Sequence, residues 1–193
     1  MQELADDMRL SIDMLLYHGS YCEVKVPDLE RCARYKDFGQ GFYLTTSRAQ
    51  AENFALISVR KAVSNGIIDR NQRYGMVSSF RLKAAEGLLT QIYPTADAEW
   101  LHCVVGHRRG RTFPDIVGKL RKYDVVAGKI ANDNTNATIT AYMAGVFGEV
   151  GTKAADDICI SLLLPERLQD QFCFRTDRAI RSLTFVESEQ VWR

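Results

Sequence analysis

The segment from Phe38 to Thr46, FGQGFYLTT, constrains the fold of this chain more than any other feature of the sequence. Gly39 and Gly41 flank a single residue and lead into aromatic and β-favouring residues, which predicts a strand over 41–46. A strand by itself does not need two glycines. Because glycine permits a close approach to the main chain, the pattern indicates a place where a flat ligand ring can lie against the backbone.

The hydrophobic pattern around this segment predicts a mixture of strands and helices. Met14 to His18 is apolar and leads into Gly19-Ser20, which is typical of a buried strand that ends in a turn. Ser47 and Gln50 form a capping box that predicts a helix reaching Asn65-Gly66. The other predicted elements are strands at 74–82, 123–128 and 171–175, and helices at 97–105, around 139–146 and around 155–162.

The bulk composition favours a globular protein without a preference for polyanions. The 193 residues predict one domain over 1–193, and a net charge of +1 gives no overall field toward nucleic acid or anionic membranes. No apolar run is long enough to cross a bilayer and no secretory signal is recognisable, so we expect a cytoplasmic protein with no membrane partner. The five cysteines are scattered without zinc spacing, which predicts reduced thiols and no metal.

Five fragments in a fixed order carry a resemblance to a known superfamily: LYHGS, KDFGQGFYLTT, an RRG segment, YDVVAGKIANDN and QFCFRTDRAIRSLTF. Together they resemble ADP-ribosyltransferases of the His-Tyr-Glu kind, the side of the superfamily that includes diphtheria toxin and the poly-ADP-ribose polymerases. More closely, they resemble a bacterial branch commonly encoded beside a small antitoxin-like protein. The resemblance implies an α+β fold, with a split pair of antiparallel sheets, peripheral helices and an NAD cleft between the sheets.

The resemblance also implies a function. It predicts NAD-dependent mono-ADP-ribosyl transfer to a protein or nucleic-acid acceptor by a toxin-like effector, with NAD as co-substrate and a small antitoxin as a possible partner. The alternative is a catalytically weak or inactive module that binds NAD or ADP-ribose and acts through a partner protein.

The first motif supplies candidate NAD contacts. In the superfamily its histidine binds the adenine-side ribose and the following glycine holds the nicotinamide carboxamide through its backbone, and these roles fall on His18 and Gly19, followed by Ser20. A neutral imidazole suits such a contact because one nitrogen can bond the ligand while a neighbour holds the other. A lone histidine would more simply cap a strand end, but the adjoining Gly-Ser favours the ligand role.

The second motif supplies candidate ring contacts. By resemblance, Tyr43 beside Gly41 supports the nicotinamide ring, and Phe54 stacks on its other side, although helical spacing makes Phe54 equally suitable as ordinary core. Polymerase-type relatives carry a carboxamide-binding serine where this chain has Ala51. Gln50 is a candidate to replace that contact.

The third motif departs from the superfamily at its catalytic glutamate, because the matching position holds Gln171. A glutamate can hold the ribose hydroxyl, stabilise developing positive charge and accept a proton, whereas glutamine can do only the first. Three alternatives remain: a strongly nucleophilic acceptor, another carboxylate such as Asp170, Asp133 or Asp124, or NAD binding without efficient transfer.

Basic residues near these motifs are candidate phosphate contacts. Arg175 shares a strand face with Gln171, and the Arg108 to Arg111 cluster is more simply a solvated loop. His102 and His107 lack metal spacing and are predicted to be structural or surface residues. The segment Asn132-Asp133-Asn134 predicts a turn and helix cap, and its match to the bacterial branch suggests a loop that faces the site.

Overall fold

The computed structural model describes residues 8–130, 133–164 and 168–192. In this part of the chain there are seven strands: β1 Leu15–Ser20, β2 Phe42–Leu44, β3 Tyr74–Leu82, β4 Thr90–Tyr93, β5 Val125–Lys129, β6 Asp170–Phe174 and β7 Leu183–Trp192. The same residues form six helices: α1 Arg48–Ser64, α2 Ala98–Arg109, α3 Pro114–Leu120, α4 Asp133–Met143, α5 Lys153–Leu163 and α6 Asp177–Arg181.

The strands form two sheets, which confirms the predicted α+β class. One sheet has the antiparallel order β1-β3-β7, and the other has the order β2-β6-β5-β4. The prediction of antiparallel sheets holds for every pair except β4 and β5, which are parallel. The chain between these two strands contains α2 and α3, and a helical crossover of this kind is what a parallel pair requires.

The two faces of the four-stranded sheet pack against different layers. Phe42 and Phe172 point toward the three-stranded sheet, where they join Leu16 and Phe80 in a buried apolar core. Residues one position along in each strand point the opposite way because side chains alternate. This opposite surface, which carries Cys173 and packs beneath α2, α4 and α5, is called the helix-side face below.

Helix α1 packs on the three-stranded sheet through an unusually close contact. A Cβ atom added to Gly19 would lie 2.0 Å from the backbone oxygen of Ala51, and one added to Gly75 would lie 2.8 Å from backbone and side-chain atoms of Ala55. Ser47 begins the helix as predicted, because its side chain accepts a hydrogen bond from the backbone N–H of Gln50. The sequence thus places glycine where helix and sheet backbones nearly touch.

The structure shows the state of the cysteines and the character of the helices. All five cysteines are free, and Cys103, Cys159 and Cys173 are buried among apolar side chains. Across the described ranges, no helix combines the length and apolar character needed to cross a membrane.

Candidate functional site

His18 is held in one orientation by the neighbouring strand. Its Nδ1 atom lies 2.8 Å from the backbone oxygen of Tyr43. Because a carbonyl can only accept, Nδ1 carries the proton, and the other ring nitrogen, Nε2, presents a lone pair. Burial lowers the pKa of His18 below its ordinary value, which keeps the ring neutral at pH 7. His18 therefore offers a fixed hydrogen-bond acceptor at the end of β1.

Gly19 directs its main-chain groups away from its own sheet. Tyr17 and Thr45 exchange backbone hydrogen bonds of 2.8 and 3.0 Å, so the main-chain groups of Tyr17 point away from β3. Alternate residues of a strand direct these groups to the same side, and the N–H and C=O of Gly19 therefore also point away from β3. The Tyr17 contact with Thr45 is an isolated bridge, and β2 ends at Leu44. The strand edge at Gly19-Ser20 thus presents one donor and one acceptor.

Phe54 lies beside this strand edge. One helical turn after it, the Ser58 hydroxyl accepts a 3.1 Å hydrogen bond from the backbone N–H of Tyr21, which ties the chain after β1 to this face of α1. Residues four apart share a helix face, so Phe54 lies alongside the end of β1. Phe54 is 38% exposed, whereas Ala51 and Ala55 on the same helix are buried in the core. A large apolar ring is therefore accessible near the main chain of Gly19.

The backbone carbonyl of Tyr43 accepts a hydrogen bond from His18, and its phenol hydroxyl bonds the backbone of the preceding glycine turn. The hydroxyl donates to the Gly39 carbonyl at 2.7 Å and accepts from the Phe38 N–H at 3.0 Å. The ring packs into the helix-side core, and burial raises the pKa of Tyr43 well above its ordinary value. Gly41 is required nearby because an added Cβ would lie 2.4 Å from Cys173 Sγ.

Replacing Tyr43 with phenylalanine should lower the free energy of unfolding by about 1–3 kcal/mol, because the Phe38 N–H and Gly39 C=O both lose a partner. Chemical denaturation measures this difference. Tyr35→Phe is a matched control, because Tyr35 is 71% exposed. Equal stabilities for the two variants would contradict a structural role for the Tyr43 hydroxyl.

Gln171 lies on the helix-side face and is bonded within the protein. Its Nε2 donates to Asp37 Oδ2 at 2.8 Å and approaches the Lys129 carbonyl at 3.3 Å. Oδ1 of Asp37 accepts hydrogen bonds from Arg108 at 2.6 and 2.9 Å, and both charged side chains are largely buried. The position predicted from the sequence to match the superfamily glutamate thus holds an amide backed by a carboxylate. Sequence reasoning missed Asp37 because it ends a charged segment typical of a surface loop.

The other carboxylates considered from the sequence have different neighbours. Asp170 pairs with Lys129 Nζ at 2.7 Å, one residue from Gln171. Asp124 bonds Arg178 and also accepts from Thr176, beyond the opposite end of β6. The Asp133 side chain lies outside the described residues, as does Asn132.

Gln50 connects α1 to the four-stranded sheet. Its Oε1 accepts from the Thr45 hydroxyl at 3.2 Å, and its Nε2 donates to the Asp170 carbonyl at 3.4 Å. The residue is buried, so its polar atoms are used within the fold. Gln50 therefore positions the start of β6 against α1, and the carboxamide role suggested by the sequence stays a prediction.

Arg175 lies apart from the other candidate residues. It lies four positions after Gln171 along an extended segment, which corresponds to about 13 Å. Its Nη1 donates to the Leu120 carbonyl at 2.8 Å. In the predicted basic cluster, Arg108 pairs with Asp37 and Arg109 donates to the Met143 carbonyl, so these two arginines are bonded within the protein.

The structure therefore separates two regions. His18, Gly19 and Ser20 adjoin at the end of β1, where Tyr43 contacts His18 through its carbonyl, and Phe54 lies on the face of α1 that Ser58 ties to the chain after β1. A cavity of about 740 Å³ lies elsewhere and is lined by Arg175, but by none of those five residues. Within the described residues, no group of three or more histidine, cysteine, aspartate or glutamate side chains could hold a metal ion.

These features define an α+β protein with a polar, aromatic-flanked strand edge where its two sheets meet. Residues 14–185 match the model of the family described as "Protein of unknown function (DUF3990)", and the chain belongs to this family. A search of curated proteins finds no match to the chain.

Proposed function

We propose that this protein is an NAD-dependent mono-ADP-ribosyltransferase with the split-sheet fold of that superfamily. The observation that carries the proposal is the strand edge of Gly19, whose N–H and C=O point away from β3. This edge adjoins the fixed acceptor of His18 in sequence and packs against α1, the helix that carries the exposed Phe54. The carboxamide of nicotinamide has an oxygen that can accept from the Gly19 N–H and an NH₂ group that can donate to the Gly19 C=O. An added β-strand pairs with a sheet edge in the same way. A cation–π contact between Phe54 and the pyridinium ring contributes roughly 1–2 kcal/mol.

The proposed reaction breaks the bond between ribose C1′ and the nicotinamide nitrogen. The bonding electrons leave with nicotinamide, and positive charge develops on the ribose. A nucleophilic atom of the acceptor then bonds C1′ and releases its proton. His18 Nε2 accepts a hydrogen bond from a ribose hydroxyl, and Gln171 Oε1 is a stronger acceptor because Asp37 polarises the amide from behind.

The proposal extends to the biological setting that the sequence resemblance implies. The acceptor is a protein or nucleic acid, the protein acts as a toxin-like effector in the cytoplasm, and a small antitoxin-like protein restrains it. A second candidate function is an NAD-binding or ADP-ribose-binding module without turnover. The internally bonded Asp37, Gln171 and Arg108 favour this second candidate, because the group in place of the catalytic carboxylate is already engaged.

The two functions are separated by incubating the protein with NAD and measuring free nicotinamide by chromatography and ADP-ribose adducts by mass spectrometry. Nicotinamide release with an adduct on an acceptor supports transfer. Calorimetric NAD binding with neither product supports the binding module. The absence of binding to NAD would overturn the transferase, and the absence of binding to both NAD and ADP-ribose would overturn both.

Truncating either contact at the strand edge should weaken NAD binding. His18→Ala removes a hydrogen-bond acceptor and Phe54→Ala removes a stacking surface, and each change should raise the Kd for NAD by about tenfold. Ile67→Ala provides a matched control, because Ile67 is 59% exposed and lies beyond the end of α1. Unchanged NAD affinity in both His18→Ala and Phe54→Ala would contradict the assigned site.

A further inference from the structure

A second feature suited to a ligand is the cavity of about 740 Å³ bounded by α2, α3, the 29–40 segment and the residues after β6. Arg34, Arg121 and Arg175 line it, and Glu30 is the one acidic residue among its lining residues. Arg34 and Arg121 are exposed, so both are accessible to a ligand. The cavity is therefore locally cationic, although the whole chain carries a net charge of only +1.

Two buried polar atoms in the walls of this cavity have no hydrogen-bond partner among the described residues: Nε2 of His107 and Nε of Arg175. His107 is 7% exposed, and its ring is packed against Gly39 so tightly that an added Cβ there would lie 2.6 Å from the ring. A buried polar atom without a partner costs free energy, and unpaired groups of this kind require an explanation in a folded protein. A bound ligand would remove the cost.

The protonation state of His107 restricts the chemistry of that ligand. Its Nδ1 lies 2.9 Å from the Cys103 carbonyl, so Nδ1 donates and Nε2 carries the lone pair. Burial and the charge of Arg175 keep the pKa of His107 below its ordinary value, against the opposing effects of the Cys103 carbonyl and Asp37. Arg175 and His107 both line the cavity, and their unpaired atoms are closed off from solvent by the surrounding packing. A ligand that displaces this packing would meet a guanidinium donor from Arg175 and an acceptor from His107.

A phosphate monoester matches this pair of groups. Its anionic oxygens accept hydrogen bonds from guanidinium groups, and its second ionisation has a pKa of about 6. A protonated phosphate oxygen can donate to His107 Nε2, or the same proton can reside on the ring and be donated back to the oxygen. A phosphodiester and a sulfate ion have no such proton near neutral pH.

We propose that this cavity is a binding site for a small phosphate monoester, held by Arg175 and His107 in its wall and by Arg121 and Arg34 at its opening. Its volume lies within the range of small-molecule sites, about 300–1,000 Å³. The site lies about 13 Å along β6 from Gln171 and is separate from the proposed nicotinamide contacts. The inference therefore does not rest on the proposed function.

The first test uses the wild-type chain, so it does not depend on the folding of a variant. The sequence contains three histidines, His18, His102 and His107, and their imidazole signals can be followed by NMR during titrations at pH 7. Inorganic phosphate and glycerol 3-phosphate should each shift the His107 signals and leave those of His18 and His102 in place. Sulfate should bind more weakly. No shift at His107 with either phosphate probe, or equal affinity for sulfate, would overturn the proposal.

The second test measures phosphate affinity by calorimetry in arginine variants. Arg175→Gln should weaken binding by about tenfold or more, and Arg121→Gln by a smaller factor, because Arg121 is exposed to solvent. Arg60→Gln is the control, because it removes the same charge from an exposed position of α1 outside the cavity. Equal affinities in all three variants would show general charge attraction and contradict a specific site. An NAD titration that shifts only His18 would separate this site from the proposed function.

Discussion

Replacing Gly19 with alanine is expected to destabilise the protein by about 3 kcal/mol or more. The added Cβ would lie 2.0 Å from the Ala51 oxygen and 2.7 Å from the Ala55 nitrogen, and both atoms belong to the backbone of α1. Rotation of a side chain cannot relieve a clash between two backbones, so α1 must move away from the sheet. Chemical denaturation measures the loss, and NAD binding should decrease with it because Phe54 moves with the helix.

Two other glycines provide the controls for this prediction. Gly75→Ala also meets α1, but its closest approach is 2.8 Å, so its destabilisation should be smaller than that of Gly19→Ala. Gly118→Ala meets no atom within 4 Å and lies in α3, where alanine should stabilise the helix by up to about 1 kcal/mol. Equal stabilities for Gly19→Ala and Gly118→Ala would show that the close packing of α1 on β1 is wrong.

Gly19 also illustrates what the sequence alone could identify. The motif predicted a glycine whose backbone faces a ligand, and the structure adds a steric requirement from α1 at the same residue. A backbone that faces a ligand and a backbone that touches α1 both exclude a side chain, so either one requires glycine at this position. Only coordinates can separate them.

Local sequence patterns predicted some secondary-structure elements and missed others. The strand at 74–82 and the start of α1 were predicted correctly because alternation and a capping box are local patterns. β7 was missed because all ten of its residues are half-buried or exposed, and its pairing with β3 is a long-range contact. β4 was missed because four residues in a parallel pair give little periodic signal.

In the candidate site too, residues of one local motif were found from the sequence, whereas a long-range contact was not. His18 and Gly19 stood out because they adjoin in one short motif, whereas Asp37 approaches Gln171 across 134 residues. No local pattern predicts such a contact. Arg175 follows the end of β6 and lines the 740 Å³ cavity, whereas Gln171 does not line it.

The network of Asp37, Gln171 and Arg108 leads to the second large prediction. Asp37→Ala should lower the free energy of unfolding by about 3–5 kcal/mol, because it leaves the largely buried Arg108 without its paired charge. Asp170→Asn is a matched control, since its partner Lys129 belongs to a more exposed pair, and its effect should be clearly smaller. Equal losses in these two variants would contradict a special role for Asp37 in stability.

Exchanging the two polar groups tests both the packing and the proposed chemistry. Gln171→Glu alone should destabilise the protein, because it places a second carboxylate where an amide lies 2.8 Å from Asp37. Adding Asp37→Asn restores one amide and one carboxylate in reversed order, so the double variant should recover about 1–3 kcal/mol relative to the sum of the single changes. Denaturation of the wild type, both single variants and the double variant measures this coupling. Additive losses would show that the two side chains do not interact.

The same double variant should also release nicotinamide from NAD faster than the wild type. Under the proposed function, it places a carboxylate at the position predicted for the superfamily glutamate, where the carboxylate would stabilise the positive charge on the ribose and accept a proton. A positioned general base typically raises the reaction rate about 100-fold or more. Part of this increase should appear in the double variant, because Asp37→Asn removes the charge that repels the new glutamate. Asp37→Asn alone is the control for the loss of Asp37. A double variant that regains stability and binds NAD, but releases no more nicotinamide than this control, would favour the binding module over the transferase.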